Sequence, residues 1–526
     1  MRSTKNVLRV FLSIVAISAP FAFTWAQDPA PSAISEDAKS ALDRISADSL
    51  KGHLSFLSSD LLEGRDTPSR GLDIAAEYIA SQFRRAGLEA IGDDGYFQTA
   101  NWKVAEADAS SFQFELVIAG QTVRVSKESV SLGSEGPIDL SGVKLVKVDF
   151  PTFAEGKARV EDVQGNALVV APDAGKDDIN PRTVMTRARG LKPALTILID
   201  RNPNTARGLW GRRLIDPEVP GGGGRTGRAG ASGPPSITIH DPRVIALLDE
   251  LKGSEVATAT LKMGPPVERS VKLRNVVGLL RGTDPILKDT YVLVTAHYDH
   301  VGIGSPVNGD VIYNGANDDG SGTVSVVEIA SALSTLKVKP RRSILFMTLW
   351  GEEKGLLGSR YYGKHPVVPI EKTIADVNLE QVGRTDSSEG PQVLTASLTG
   401  FDFSDVGEIF RRAGEAEGVK VFKHPRNSDA YFGASDNQAL ADLGVPAHTL
   451  CVAYQYPDYH GAADHWEKVD FSNMAKIDRV VARALLTIAD SVEVPKWNAS
   501  NPKAKRYLKA YEDRLARPAN ADAGQP

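Results

Sequence analysis

The length, composition and charge of the chain limit the kind of protein that it encodes. Its 526 residues exceed one ordinary hydrophobic core, so we expect two or three compact units. Hydrophobic residues make up 42% and charged residues 24% of the chain, which is typical of a soluble globular protein. The formal net charge of −5, without a dominant basic stripe, argues against a nucleic-acid-binding surface, and we expect no nucleic-acid partner.

The first residues have the pattern of a secretory signal peptide, which we place at residues 1–26. Arg2, Lys5 and Arg9 precede a short apolar stretch at 10–17, and small residues follow at the cleavage positions. The stretch is too short for a comfortable membrane span, although an uncleaved anchor is the alternative. No other stretch is long and apolar enough to cross a bilayer, so we expect no stable membrane span after signal cleavage.

Cys451 is the only cysteine in the chain, so no internal disulfide can form. An exported protein of this size without disulfides favours a bacterial periplasm or the medium, and we expect a secreted or periplasmic protein. Cys451 itself lies within an apolar run, where a core position is the simplest interpretation.

Changes in composition divide the rest of the chain into predicted parts. Apolar residues at helical spacing predict a helix near 71–87, and short β-like runs around the glycine-rich loop at 221–235 predict a small, mainly β insertion. Polar residues mark both ends. The parts are a flexible leader (27–40), a main domain in two pieces (41–111 and 266–495), the inserted domain (112–265) and a disordered tail (496–526).

From about residue 274, short apolar runs alternate with helical patterns. The runs are "NVVGLL", "YVLVTAH", "SILFMTLW", "TIADVNLE" and "AHTLCV". Runs of this kind are typical of strands that are buried on both faces, and the intervening helices predict an α/β sheet. In such sheets the ligands bind beyond the strand ends.

Metal-ligating side chains stand where these runs stop. Five separate segments each provide an oxygen or imidazole ligand, and their candidates are His297 with Asp299, Asp318 with Asp319, Glu352 with Glu353, Glu380, and Tyr459 with His460 and Asp464. A nuclease or phosphatase would use a similar set, but Zn²⁺ accepts this mixture of histidines and carboxylates well. If Asp318, Glu353 and Glu380 bind together with two neutral histidines, they supply three negative charges, and two Zn²⁺ ions would leave one positive charge for a bridging hydroxide to cancel. This arithmetic favours two metal ions.

Five motifs in a fixed order carry a family resemblance. They are "TAHYDHVG", "GANDDGSGT", "GEEKGLLGS", "NLEQVG" and "DYHGAADHWEKVD". In this order they resemble the co-catalytic di-zinc exopeptidases, the family of bacterial leucine-type aminopeptidases, aminopeptidase Y and glutamate carboxypeptidase. The resemblance covers residues 274–495 and extends to "FLSSDLLEGRDTPSRGLDIAAEYIASQF" near the front. It implies an α/β fold, with a zinc-exopeptidase-type mixed sheet flanked by helices and an inserted, mainly β domain that resembles a protease-associated domain.

The resemblance also implies a role for each metal-ligating residue. Asp318 would bridge two Zn²⁺ ions, His297 and Glu380 would complete one site, and Glu353 and His460 would complete the other. Cobalt or manganese would fit the same ligands. Glu380 stands where relatives more often carry aspartate, and the extra methylene could retune that metal site.

Three further residues receive catalytic roles from the resemblance. Glu352 lies beside a ligand but is not one itself, and it would act as general base towards the bridging water. Tyr459 would help to stabilise the developing oxyanion. Asp299 would accept a hydrogen bond from the second ring nitrogen of His297 and fix its tautomer.

Other polar residues near these motifs have simpler interpretations. Asp319 is expected to be a loop residue that makes local backbone bonds. His300 and His465 are expected to be spectators, and Asp464 either orients its loop or pairs with Lys468.

An exported metal-dependent aminopeptidase that acts on peptide substrates is the leading expectation. A carboxypeptidase or dipeptidase of the same family is the alternative, and a carboxypeptidase would need a cationic clamp, for which Arg384 and Arg426 are candidates. A receptor-like binding protein is disfavoured because every ligand type is present.

Overall fold

A computed structural model describes residues 34–134, 136–172, 181–201, 210–219, 234–251 and 256–516. The predicted signal peptide and most of the glycine-rich loop lie outside these ranges. The α-helices are α1 (Glu36–Leu42), α2 (Ala47–Leu57), α3 (Arg70–Ala86), α4 (Phe150–Ala154), α5 (Val160–Val163), α6 (Pro181–Gly190), α7 (Pro242–Glu250), α8 (Gly322–Leu333), α9 (Leu357–Lys364), α10 (Val406–Glu417), α11 (Asn427–Ala430), α12 (Asn437–Ala441), α13 (Phe471–Asp490) and α14 (Lys505–Ala516). The strands are β1 (Phe97–Glu106), β2 (Gln113–Ile118), β3 (Gln121–Arg124), β4 (Val130–Leu132), β5 (Ile138–Val148), β6 (Ala167–Val170), β7 (Leu195–Ile199), β8 (Arg212–Ile215), β9 (Ser236–Ile239), β10 (Ala257–Met263), β11 (Val267–Leu280), β12 (Tyr291–His297), β13 (Gly302–Val307), β14 (Asp310–Tyr313), β15 (Ser343–Leu349), β16 (Thr373–Glu380), β17 (Asp386–Ser387), β18 (Gly390–Pro391), β19 (Thr395–Leu398), β20 (Lys420–Phe422) and β21 (Ala447–Cys451).

A nine-stranded mixed sheet forms the main body, in the order β20-β19-β21-β16-β12-β15-β11-β1-β8. Its four central strands, β21, β16, β12 and β15, run parallel, whereas β11 and β1 are antiparallel to their neighbours. The predicted α/β sheet flanked by helices is confirmed, and each of the five apolar runs lies in a strand of this sheet.

Both faces of the main sheet are covered, which explains the continuous apolar runs. Along β12, Val292 and Val294 face one apolar core and Leu293 faces another, because successive strand residues point to opposite faces. The first core also takes residues of α3, α8 and α13. The second core takes residues of α9, α12 and α14. Among the helices that the structure describes, none is both long and apolar enough to span a membrane.

A second sheet of eight strands is built from the part of the chain between β2 and β10, in the order β3-β2-β10-β5-β6-β7-β9-β4. It has an apolar core of its own. This sheet lies where the sequence predicts the inserted domain, and its resemblance to a protease-associated domain stays a prediction. One strand of this region, β8, does not belong to the second sheet and instead pairs with β1 at the edge of the main sheet.

The structure corrects two predictions at the ends of the chain. The predicted flexible leader includes the start of α1, whose N-cap is Ser35 and whose Ala38 is buried. The predicted disordered tail includes α14, and Trp497 and Tyr507 of this region are buried. The prediction failed because the tail has few apolar residues, but two of them are large aromatic side chains that bury much surface.

We expect Tyr507→Ala to lower the free energy of unfolding by about 3–5 kcal/mol, the usual cost of emptying a buried aromatic position. The Tyr507 ring stacks on that of Trp497 with centroids 5.1 Å apart, and it lies 5.1 Å from the Phe432 ring. Urea unfolding would measure the change, with the exposed Lys505→Ala in the same helix as the control. Equal stability of the two variants would show that α14 does not contribute to the core.

Candidate metal centre

The candidate site lies at the carboxyl edge of the parallel strands. His297 is the last residue of β12, and in the parallel register it pairs with Leu349 at the end of β15. Glu352 and Glu353 follow β15, and Glu380 ends β16 on the other side of β12. Parallel strands that start together also end together, so these side chains meet at one edge of the sheet.

Asp318 stands between the two predicted metal-ligating histidines. Its Oδ1 lies 3.4 Å from Nε2 of His297, and its Oδ2 lies 3.0 Å from Nε2 of His460. The carboxylate is buried, in the loop between β14 and α8. This arrangement is what a residue that bridges two metal ions requires.

The first side of the site is formed around His297. Its Nε2 lies 3.3 Å from Oε1 of Glu380 and 4.0 Å from Oε2 of Glu352. Its Nδ1 lies 3.1 Å from the carbonyl oxygen of Asp299 and 3.5 Å from the Asp299 carboxylate. Asp299 therefore lies beside the second ring nitrogen, and its main-chain carbonyl is the closer acceptor, while the role of its carboxylate stays a prediction.

The second side of the site is formed around His460. Its Nε2 lies 3.1 Å from Oε1 of Glu353, and the same oxygen lies 3.0 Å from Nδ1 of His300. The Tyr459 ring stacks on the His460 ring at 4.1 Å, and half of Tyr459 is exposed. His300, expected to be a spectator, is thus in contact with a predicted ligand. The role of the Tyr459 hydroxyl stays a prediction.

Two groups of side chains have ligand atoms close enough to share a metal ion. In each group the ligand atoms lie within 4.8 Å of one another. One group is His300, Asp318, Glu353 and His460, and the other is His297, Asp319 and Glu380. All five predicted ligands belong to these groups, and the geometry adds His300 and Asp319. His465 lies outside both and is 3.5 Å from Asp310.

The two carboxylate oxygens of Asp319 have different surroundings. Its Oδ1 accepts hydrogen bonds from the main-chain amides of Gly322 and Gln381, both at 3.1 Å, which are the backbone bonds expected of a loop residue. Its Oδ2 is buried without a hydrogen-bond partner among the described residues. The sequence did not show that the free oxygen would be near His297 and Glu380.

Asp464 holds the loop that carries Asp318. Its carboxylate accepts hydrogen bonds from the main-chain amides of Asn317 and Asp318 and from the Tyr456 hydroxyl. The sequence left open whether Asp464 orients its loop or pairs with Lys468. Lys468 instead contacts Asp458, so Asp464 acts on the metal-ligating loop. In the sequence, only its position four residues after His460 indicated that Asp464 lies near the site.

The charges of the site perturb one another strongly. Burial and the carboxylates of Glu380 and Glu353 raise the pKa of Glu352 well above its usual range, although His297 opposes this. Burial lowers the pKa of His460, but its contacts with Asp318 and Glu353 outweigh burial and raise the pKa to about 10. Without a cation, the site therefore retains protons.

A cavity of about 360 Å³ opens onto this edge. Acidic side chains of Asp318, Glu352 and Glu380 line one part of it. Tyr431, Tyr454, Tyr456 and Tyr459 line another part. No arginine or lysine lines it among the residues that the structure describes.

The donors present fit zinc. Ligands bound tetrahedrally at about 2.0–2.1 Å stand about 3.3 Å apart, and the histidine–carboxylate distances of 3.0–3.4 Å match this spacing. Oε1 of Glu353, Oδ2 of Asp319 and both ring nitrogens of His300 are buried and make no hydrogen bond among the described residues. Such atoms are costly unless a cation satisfies them.

Comparison with known proteins gives a family match and more distant relatives. The family model of Peptidase family M28 matches residues 275–485. Aminopeptidase NAALADL1 of Mus musculus is 28% identical over 305 residues, which cover 51% of this chain and 38% of the mouse protein. Aminopeptidase YwaD of Bacillus subtilis (strain 168) is 27% identical over 253 residues, which cover 47% of this chain and 51% of that protein. The chain thus spans about half or less of the length of these relatives.

Solved structures share the fold. A zinc aminopeptidase from Bacillus subtilis superposes with a TM-score of 0.57 and 19% identity, covering 88% of this chain and 97% of that chain. An aminopeptidase from Aneurinibacillus sp. strain AM-1 gives a TM-score of 0.53 and 20% identity, covering 88% and 100%. The motif order and the convergence of the ligands agree with the match of residues 275–485 to Peptidase family M28.

Proposed function

We propose that this protein is a metal-dependent aminopeptidase that removes amino-terminal residues from peptides. The observation that carries the proposal is the cavity, which carboxylates line without any arginine or lysine among the described residues. Such a cavity attracts the cationic α-amine of a peptide and repels a terminal carboxylate. The relatives named aminopeptidases agree with this function.

Two Zn²⁺ ions are proposed as the cofactors. His297, Asp319 and Glu380 would hold one ion, His300, Glu353 and His460 would surround the other, and Asp318 would contact both. When bound, zinc would supply a coordinated water of lowered pKa and would polarise the substrate carbonyl.

Glu352 is the proposed general base. It belongs to neither metal-binding group, yet it lines the cavity and lies 4.0 Å from the His297 ring. Its main-chain amide donates a hydrogen bond to Oδ1 of Asp299 at 3.0 Å, which fixes the turn that carries it. From this position its carboxylate would take a proton from the attacking water and give it to the leaving amine, a transfer that contributes about 10²–10⁴-fold.

The carboxypeptidase alternative lacks its clamp. Arg384 is buried, and its guanidinium donates to Asp386 and to Asp458. Arg426 is paired with Glu389. Neither arginine lines the cavity, so neither is placed to hold the terminal carboxylate of a substrate.

Export is proposed from the signal-peptide pattern of residues 1–26. We expect amino-terminal sequencing of the protein recovered from its native cells to start at Gln27. The periplasmic or extracellular fraction should contain it. An unprocessed chain confined to the cytosol would contradict export and leave the proposed chemistry unaffected.

We expect Glu352→Gln to lower kcat by at least about 10²-fold while the zinc content stays at that of the wild type. The matched variant is Glu353→Gln, which should lose zinc because Glu353 contacts His460 and His300. Steady-state kinetics on aminoacyl chromogenic substrates and metal analysis would measure both. Activity that survives Glu352→Gln or removal of metal by a chelator would reject the mechanism.

We expect acetylation of a peptide's amino terminus to abolish cleavage and amidation of its carboxyl terminus to leave cleavage almost unchanged. The reason is that the acids of the cavity bind a free amine and offer nothing to a carboxylate. Mass spectrometry of the products from one peptide in its free, acetylated and amidated forms would decide. Removal of carboxyl-terminal residues from the acetylated peptide would favour the carboxypeptidase alternative.

A further inference from the structure

Arg65 is a buried arginine whose guanidinium contacts main-chain carbonyls. The residue is 1% exposed and lies far upstream of the segment that matches the family. Its Nε donates to the carbonyl of Tyr298 at 2.8 Å, and its Nη2 donates to that of Gly315 at 2.8 Å. Its Nη1 donates to the carbonyls of Leu57 and Asn314 at 2.5 and 2.7 Å.

Three of these carbonyls lie beside the predicted bridging ligand or the first histidine, and the fourth, that of Leu57, lies at the end of α2. Tyr298 is flanked by His297 and Asp299, and Asn314 and Gly315 stand just before the Asp318 loop. A return hydrogen bond runs from the main-chain amide of His300 to the carbonyl of Arg65 at 3.3 Å. One side chain thus ties two metal-ligating loops to each other and to the end of α2.

The backbone around Arg65 is bent to bring it there. Glu63, Gly64 and Arg65 have φ values of 49°, 68° and 50°, three successive residues in the left-handed region. For a residue other than glycine this conformation costs roughly 1–2 kcal/mol. At Gly64 a Cβ would lie 2.4 Å from the carbonyl oxygen of Tyr313, so only glycine permits this close approach. Strain of this kind persists where the surroundings enforce it, often beside functional sites.

The positive charge of Arg65 also affects zinc binding, separately from its hydrogen bonds. Burial lowers the pKa of Arg65 to about 10, and the charges of Asp299, Asp464, Asp318 and Asp319 oppose this, so the guanidinium remains protonated at neutral pH. A cation here would offset those acids even if its hydrogen bonds were unimportant. Its removal through charge alone would strengthen zinc binding, whereas loss of the loop contacts would weaken it.

We propose that Arg65 is a positioning residue of the metal centre, which holds the His297 loop and the Asp318 loop at the spacing that two metal ions require. The proposal rests on the metal-dependent function proposed above. It means that the segment around Arg65 supports metal binding by positioning the ligands, although this segment provides no ligand itself.

Arg65→Lys tests the proposal, because lysine keeps the charge and loses the planar fork that contacts four carbonyls at once. We expect zinc affinity to fall about 10–100-fold, the usual effect of removing a group that orients metal ligands. Titration of zinc into the metal-stripped protein against a chelating dye would measure it. Unchanged affinity in folded Arg65→Lys would overturn the proposal, because it would show that metal binding does not need the hydrogen bonds of the guanidinium.

Arg342→Lys is the matched control. Arg342 is also buried, and it donates to the Thr290 hydroxyl and to the carbonyl of Val492. It directly precedes β15, at the end of that strand away from the metal-ligating loops. We expect both variants to lose stability and only Arg65→Lys to lose zinc affinity. An equal loss of zinc affinity in Arg342→Lys would overturn the proposal, because it would show that replacing any buried arginine weakens zinc binding.

A measurement on the wild-type chain keeps the proposal testable if Arg65→Lys does not fold. Hydrogen exchange followed by mass spectrometry should show that zinc slows exchange in residues 57–66, which hold no ligand, together with residues 297–300 and 314–319. Slowing in the two ligand loops without slowing in 57–66 would overturn the proposal. Neither readout uses peptidase activity, so zinc-dependent protection without peptide cleavage would reject the proposed function and keep this inference.

Discussion

The metal centre gathers like charges inside the protein, and the rest of the structure depends on how this repulsion is balanced. Two like charges 4 Å apart repel by about 4 kcal/mol at an effective dielectric constant of about 20, and whole domains are stable by only about 5–15 kcal/mol. Full ionisation of the cluster therefore requires positive charge within it. The acids concerned are Asp318, Asp319, Glu352, Glu353 and Glu380. The histidines and Arg65 supply part of the positive charge, and the raised pKa of Glu352 shows that burial and carboxylate repulsion still dominate before a metal binds.

Neighbouring acids take different tasks because they lie in loops, where successive side chains diverge. Glu353 contacts two histidines, whereas Glu352 lines the cavity and its amide is held by Asp299. Asp318 contacts both predicted metal-ligating histidines, whereas one oxygen of Asp319 is occupied by two main-chain amides and the other points into the cluster. The carboxyl edge of a parallel sheet allows this division, because each strand delivers its loop to the same place while the loop itself sets the direction of each side chain.

The sequence predicted which segments meet but not how each residue is turned. His297, Glu353 and Glu380 follow apolar runs, and parallel strands bring such positions together without any knowledge of side-chain rotation. The contact between His300 and Glu353 depends on the path of the loop after β12, which no periodicity records. The role of Arg65 was not predicted for a similar reason. Its guanidinium donates to main-chain carbonyls, and every residue has such a carbonyl, so no sequence pattern identifies the partners. The helix after Trp497 was missed because polar and charged residues dominate the segment, although Trp497, Ala504 and Tyr507 are buried in the second core and Leu508 and Tyr511 pack against it.

The excess of negative charge over metal charge would also make the cavity favour an amine. Five carboxylates carry five negative charges, and two Zn²⁺ ions would carry four positive charges, so these groups together would keep a net negative charge when both proposed ions are bound. The charge of Arg65 would offset this, but Arg65 does not line the cavity. An α-amine with a pKa near 7.7–8.0 is cationic over most of the neutral range, so the field of the cluster attracts it. Arg384 could reverse that field if it faced the cavity, but Asp386 and Asp458 neutralise it within the protein. The cavity would thus be negative for two reasons. The carboxylates carry more negative charge than the two ions would neutralise, and Arg384 is paired with Asp386 and Asp458 outside the cavity.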